Sequence, residues 1–404
     1  MLKKSVFVLI IIIIVFQNPL FAQAADRAYY VSALGNDENN GRSEQSAFRT
    51  LEKAVERSAN GTISTIIVIG NLNLNKPTYI KSTGGREILI TGKDSMEKLR
   101  NAKIGNEINI SHNSILKFEN ISLSTLELLG YYDNFPTTLI LGDGAVVSDV
   151  ENSMAAVNIT DGILTLAGAS IKNNKCSGIY LNKSKLVIDD GLITDNIIDK
   201  NNAFSSNGAG IYAFRDSSIV MNSGKIQNNA KYYRINPSYY GACGGGVCIE
   251  YGCSFEMNAG LIENNLAEGF GGGIFVSNGG SFIMNGGTIK NNIAKKDGGG
   301  LWGDCLIRNG SISSNQATRG GGIYSNTRNR IINGTISDNQ AEYGAGIYIE
   351  DDRFTASGGK IENNSAEFVG GGIYIRSGAL LVQDGSTIIN NIAGDGEGEN
   401  IFRQ

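Results

Sequence analysis

Apolar residues in this chain come in short runs that alternate with polar positions. GIYI, ALLV and STII, all between positions 372 and 389, are typical. Each run is three to five residues long and is bounded by Gly, Asn, Asp or Ser. Alternation with a period of two predicts strands separated by tight turns. No run in the repetitive part holds a helical period for ten residues, so helical and leucine-rich repeats fit poorly.

The runs also recur. Residues 370–393, GGGIYIRSGALLVQDGSTIINNIA, nearly repeat residues 271–294, GGGIFVSNGGSFIMNGGTIKNNIA. A motif of two or three small residues followed by an apolar and an aromatic position starts at Gly208, Gly271, Gly298, Gly320, Gly344 and Gly370, with variants at Ser177 and Gly244. A second motif ends at Asn174, Asn196, Asn229, Asn265, Asn292, Asn315, Asn339, Asn364 and Asn391, in steps of 22, 33, 36, 27, 23, 24, 25 and 27 residues. Such spacing marks a solenoid. With three strand-like runs per repeat, it predicts an all-β right-handed parallel β-helix whose coils stack at about 4.8 Å.

The residue choices follow from stacking. Ile179, Ile211, Val247, Ile274, Leu301, Ile323, Ile347 and Ile373 form a column expected to point inward. The Asn column is expected at a turn, in left-handed backbone, with its amides laddered between coils. The glycines permit close backbone approach at the corner before the strand. No helix pattern follows any Gly triplet, which argues against a phosphate-cradling loop.

Upstream of residue 161 the repeat blurs, and residues 61–160 are expected to form less regular coils. Residues 26–60 read as a strand and an amphipathic helix, with Phe48, Leu51, Ala54 and Val55 on one face, placed to cap the open end of the core. Residues 26–404 thus read as one continuous solenoid. Residues 1–25 read as a signal peptide: Lys3 and Lys4 precede an apolar stretch over residues 6–16, and Ala22-Gln23-Ala24 offers cleavage near Ala24 or Ala25. No later apolar run is long enough to span a membrane. Export to the medium or the cell surface is the expectation.

Composition adds exclusions. A net charge of −4 with 35 basic residues leaves no basic stripe for nucleic acid. The cysteines, Cys176, Cys243, Cys248, Cys253 and Cys305, are odd in number, and the five-residue spacing of Cys243, Cys248 and Cys253 is not a common zinc pattern. Small buried residues are the favoured reading, with a Cys243–Cys248 or Cys248–Cys253 disulfide as the alternative. No cofactor is expected. A Ca²⁺ ion at Asp37, Glu38 and Asn39 is the alternative to a solvated loop.

The GGGIY…NNxA pattern, over roughly residues 171–393, resembles the repeats of chlamydial-type polymorphic outer membrane proteins and of bacterial right-handed β-helix surface proteins more widely. That resemblance implies a secreted or surface β-helix, often adhesive. The sequence departs from that pattern in that GDGEGENIFRQ follows the last repeat and no run of alternating barrel strands is read, so an autotransporter barrel is not the expectation. The stretch YYVSALGND…FRTLEKAV is similar to the opening of many secreted β-helix proteins, polysaccharide lyases included.

Candidate chemistry is sparse. His112, Asp189-Asp190, Arg215-Asp216, Glu250 and the cluster at Glu350, Asp351, Asp352 and Arg353 yield no pair of carboxylates on neighbouring coils. No catalytic residue is assigned. Two features could bind a ligand. One is the aromatic column after the inward apolar position: Tyr180, Tyr212, Phe275, Trp302, Tyr324, Tyr348 and Tyr374, interrupted by Cys248. It reads as a self-stacking ladder or as an outward platform for sugar rings. The other is a tyrosine-rich insertion at residues 231–243 with Tyr232, Tyr233, Arg234, Tyr239 and Tyr240, one coil after an insertion at residues 197–207. The leading expectation is a non-catalytic binder of a polysaccharide, a surface glycan or a host or neighbouring-cell surface protein. The alternatives are a polysaccharide lyase or glycoside hydrolase, and a structural module of a larger assembly.

Overall fold

The structure, a computed structural model, describes residues 28–73, 76–92, 102–105, 107–111, 113–130, 137–199, 207–232 and 242–404. The segment read as a signal peptide lies outside these residues. Neighbouring strands pair in parallel, coil upon coil, in sheets of 25, 13 and 8 strands. This is the parallel β-helix that the repeat predicted.

One coil shows the plan. Ile274–Val276 lies in the 13-stranded sheet, Ser281–Met284 and Thr288–Lys290 lie in the 25-stranded sheet, and Ile293–Ala294 lies in the 8-stranded sheet. Four strands per coil, rather than the expected three, hold in this region. The fourth is only two residues long, too short to show an alternation in sequence. Among the described residues, the 8-stranded sheet begins at Ile197–Ile198, so the upstream coils lack it. The two ladders of the 25-stranded sheet are fused where Gly162–Lys172 and Lys185–Thr194 run through both.

Side chains alternate inward and outward along each strand. The inward positions, among them Ile274, Val276, Phe282, Met284 and Ile289, are buried and join one continuous core. Every member of the apolar column from Ile179 to Ile373 is fully buried. Glycine marks the close approaches. Gly271 has a φ of +64°, and a Cβ on Gly273 would meet the Gly300 carbonyl oxygen of the next coil at 2.6 Å.

The asparagine column is a buried hydrogen-bonded ladder. Asn292 is representative: its Nδ2 donates to Asn315 Oδ1 at 3.0 Å and to the Ile262 carbonyl at 3.0 Å, while its Oδ1 accepts from the Asn265 backbone N–H and Nδ2, both at 3.0 Å. Two donors and two lone pairs are all used, as a buried amide requires. The ladder runs from Asn174 to Asn391 and ends on Asn400 Oδ1 at 2.9 Å. The sequence expectation was off by one residue in one respect. The left-handed backbone belongs to the preceding position, for example Asn264 (φ 55°), Asn291 (φ 55°) and Asn363 (φ 58°). That residue makes the turn and aims the ladder amide inward.

The only helix among the described residues, Leu51–Ala59, closes the first coil. Its buried face, Leu51, Ala54 and Val55, joins Val31 in the main core; Phe48, expected on the same helical face, instead precedes the helix and enters that core from a β-bridge to Val31. Thr50 caps it by accepting from Lys53 N–H. Asp37, the first residue of the loop considered for Ca²⁺, accepts instead from the Arg49 and Thr50 backbone N–H groups at 2.8 and 2.9 Å and from the Thr50 hydroxyl at 2.8 Å.

Candidate functional site

The aromatic column belongs to a longer one on the outer side of the 13-stranded sheet. In register, coil by coil, it reads Tyr79, Asn109, Glu127, Asn158, Tyr180, Tyr212, Cys248, Phe275, Trp302, Tyr324, Tyr348, Tyr374 and Phe402. From Tyr79 to Cys248 each lies between two buried neighbours, and the later members keep the same register, so the column faces away from the core.

From Phe275 onward, outward does not mean exposed. Phe275, Trp302, Tyr324, Tyr348 and Tyr374 are each at most 7% accessible. Consecutive rings stack: Phe275–Trp302 centroids are 4.6 Å apart, Trp302–Tyr324 5.9 Å, Tyr324–Tyr348 5.3 Å and Tyr348–Tyr374 4.6 Å, all within 15° of parallel. Cys243, Phe270 and Tyr343, from the corner segments that lead into the glycines, close over them in a second apolar cluster. Arg319, from the same corner, lies 5.1 and 5.3 Å from the Tyr324 and Tyr348 centroids. It pairs with Asp297 through two bonds of 2.8 and 2.7 Å, and with Glu350, which also pairs with Arg376. Glu350, one of the acids of the candidate cluster, is thus held between two arginines.

Electrostatics fit a sealed layer. Burial pushes the Tyr348 hydroxyl up to about 12, with the Glu350 charge adding to it, and burial also raises Tyr324 and Tyr374. Burial raises the Asp297 carboxyl, opposed by its bonds to Arg319. The rings of Phe275, Trp302 and Tyr324 have neighbouring rings against their faces, so the self-stacking ladder describes this half. The Trp302 indole N–H, buried there, has no acceptor among the described residues.

Toward the N-terminus the column opens. Tyr180 and Tyr212 are half-buried, tilted at 49° with centroids 5.5 Å apart, and Phe214 joins them at 6.5 and 6.1 Å. Arg215 covers the Phe214 ring at 5.1 Å. Beyond Tyr180 the column turns polar, with Asn158, Glu127 and Asn109 half-buried and Tyr79 58% exposed. A cleft of about 350 Å³ opens here, walled by Glu127, Leu129, Met154, Asn158 and Tyr180. Burial raises the Glu127 carboxyl, and the charge of Glu107 adds to the rise. Sequence reasoning missed Glu127 and Asn158, because the repeat that aligns Tyr180 with Tyr212 has already faded there.

Of the tyrosine-rich insertion, Tyr232 is described and half-buried. Tyr233, Arg234, Tyr239 and Tyr240 lie outside the described residues. The flanks fix where both insertions depart. Ile197–Ile198 and Ala230–Lys231 are paired neighbours in the 8-stranded sheet. The chain re-enters at the same corner, where Gly208 N–H donates to the Cys243 carbonyl at 3.0 Å. The described flanks of both insertions therefore meet at the corner beside Tyr180 and Tyr212.

All five cysteines are buried, and Cys248 is a free thiol, so neither the Cys243–Cys248 nor the Cys248–Cys253 disulfide is formed. Burial pushes the Cys176 and Cys243 thiols up to about 12 and raises Cys248 well above the usual thiol range, which keeps them protonated. Asp189, exposed but inside the strand Lys185–Thr194 rather than in a turn, accepts from Asn222 Nδ2 at 2.7 Å. Among the described residues, no group of three or more His, Cys, Asp or Glu side chains is placed to hold a metal, and no helix is long and apolar enough to cross a membrane.

Comparison with curated proteins gives no match. Residues 240–401 match the family model described as right handed beta helix region, which covers the sealed half of the column and its corner segments.

Proposed function

We propose that this protein is an exported or surface-held β-helix that binds carbohydrate without catalysing its cleavage. The match to the β-helix family model supports a surface or polysaccharide-related role in general. The resemblance to chlamydial-type repeats supports adhesion as the use of that binding. One observation carries the reading: the ring stack ends at Tyr180, Tyr212 and Phe214, half-open rings beside the corner from which both insertions leave. Half-open aromatic rings on a rigid sheet, next to loops rich in tyrosine, suit sugar rings, which offer an apolar face and hydroxyl edges. Tyr232, Tyr233, Arg234, Tyr239 and Tyr240 are the loop residues assigned to contact.

Replacing Tyr232, Tyr233, Tyr239 and Tyr240 together with Ala is expected to abolish retention on a glycan array while moving the melting temperature little. Retention equal to the unaltered protein would remove the loops from the site. A lyase or hydrolase reading draws on the raised Glu127 carboxyl near Glu107. Incubation with uronate-containing polysaccharides, read at the absorbance of unsaturated products and by reducing-end release, is expected to give no turnover. Clear turnover would replace the binding reading with the enzymatic one.

A further inference from the structure

We propose that the cleft walled by Glu127, Leu129, Met154, Asn158 and Tyr180 is a subsite for a sugar ring carrying an N-acetyl group and no acid group. The inference rests on the reading of this face as carbohydrate-binding and adds a place and a chemical class.

The geometry comes from the fold. Glu127, Asn158 and Tyr180 are register partners on three consecutive coils, so their Cα atoms are spaced about 4.8 Å apart along the helix axis. Each is flanked on its strand by fully buried neighbours, Leu126 and Leu128, Val157 and Ile159, Ile179 and Leu181, which lock the three backbones. The Asn158 amide is held by donation to the Ala155 carbonyl at 3.0 Å, and Ser153 Oγ donates to the same carbonyl at 2.8 Å, fixing the turn that carries Met154. Recognition groups on packed strands of this kind are preorganised. The volume of about 350 Å³ lies at the small end of ligand sites, enough for one or two sugar rings.

The lining selects the ligand class. Leu129 and Met154 are 41% and 39% exposed, and both open onto the cleft. Beside them stand an amide, a carboxyl and the ring of Tyr180. A sugar with only hydroxyl groups offers no methyl group to Leu129 and Met154. An N-acetyl group supplies a methyl for Leu129 and Met154 and an amide for Asn158 or Glu127. Among the described residues no Lys, Arg or His lines the cleft, so the carboxylate of a uronate would meet Glu127 with no cation in the lining.

The test is calorimetric titration of the full chain with three oligosaccharides: of N-acetylglucosamine, of glucose and of galacturonate. The first is expected to bind tightest, the second at least about tenfold more weakly, and the third not detectably. Asn158→Ala and Tyr180→Leu are each expected to weaken the first by about tenfold or more, with unchanged melting curves. Glu127→Gln is expected to admit galacturonate while keeping the first ligand, an outcome that mere loss of folding would not produce. If both cleft variants bind like the unaltered protein while the four-tyrosine loop variant does not, the cleft is overturned and the carbohydrate reading stands. If galacturonate binds tightest to the unaltered protein, the ligand class is overturned. If none of the three binds, both readings fall.

Discussion

Between Tyr79 and Tyr212 the outer column carries phenol, amide and carboxyl groups that remain partly in solvent. Between Phe275 and Tyr374 the same register positions carry only rings, and solvent reaches almost none of their surface. The strands beneath do not differ: both stretches lie in one 13-stranded sheet above one core of stacked aliphatic residues. The corners differ. Downstream, each coil adds a short fourth strand, and the corner after it lays Phe270, Asp297, Arg319 or Tyr343 over the rings. Upstream of Ile197 there is no fourth strand among the described residues, and the column stays open. A position's exposure on this solenoid is set by the neighbouring corner rather than by its own strand.

The comparison can be broken most severely at the ladder. Asn292→Ala would leave the Asn265 amide, the Asn265 N–H, the Ile262 carbonyl and Asn315 Oδ1 each short of a bond, all in the sealed region. At about 1–3 kcal/mol for each buried group left unpaired, a loss of about 4 kcal/mol or more in urea unfolding is expected. Asn158→Ala, in the open region, should cost below about 1 kcal/mol. Equal costs would show that the two regions are built alike.

Trp302 gives a finer test. Trp302→Ala removes a ring stacked on Phe275 and Tyr324 and is expected to cost about 3–5 kcal/mol. Trp302→Phe should cost less than about 1.5 kcal/mol, because the indole N–H it deletes has no acceptor among the described residues. A large loss with Phe would mean that the N–H has a partner.

The smallest expected effect is on alkaline stability. Tyr348 titrates at about 12 in the fold, above its ordinary value of 10, and Cys243 at about 12, above 9. A raised pKa means that the folded state keeps a proton which the unfolded chain gives up. The contribution is therefore complete below the unfolded values and is lost as pH climbs through about 12. The melting temperature should hold to about pH 9 and fall from there to pH 12. Tyr348→Phe should make that fall shallower, and an unchanged slope would contradict the sealing of the ring.

What was legible in the sequence followed from strict local repetition. The column from Ile179 to Ile373, the Asn ladder and the glycines recur because each coil must fit the last, and that requirement is written at every step. The capping helix was legible from Leu51, Ala54 and Val55. The burial of the rings was not. The covering positions hold Phe270, Asp297, Arg319, Tyr343 and Val369, residues with no shared chemistry, so no column signalled a lid. Glu127 and Asn158 stayed hidden because their coils keep the register of the sheet but not the spelling of the motif. Once the β-strand pairs hold a coil by backbone bonds, the side chains on its outer face are free to vary.

The ladder from Asn174 to Asn400 gives every coil the same polarity: each amide hands its N–H to the next coil and takes one from the coil before. Top and bottom edges of any regular coil are therefore interchangeable with those of its neighbours. Duplication or deletion of one unit of about 25 residues changes the length of the rod by about 4.8 Å and leaves the pattern of the ladder intact. Reach is then a quantity that inheritance can adjust one step at a time, while the open face near the N-terminus keeps its own composition.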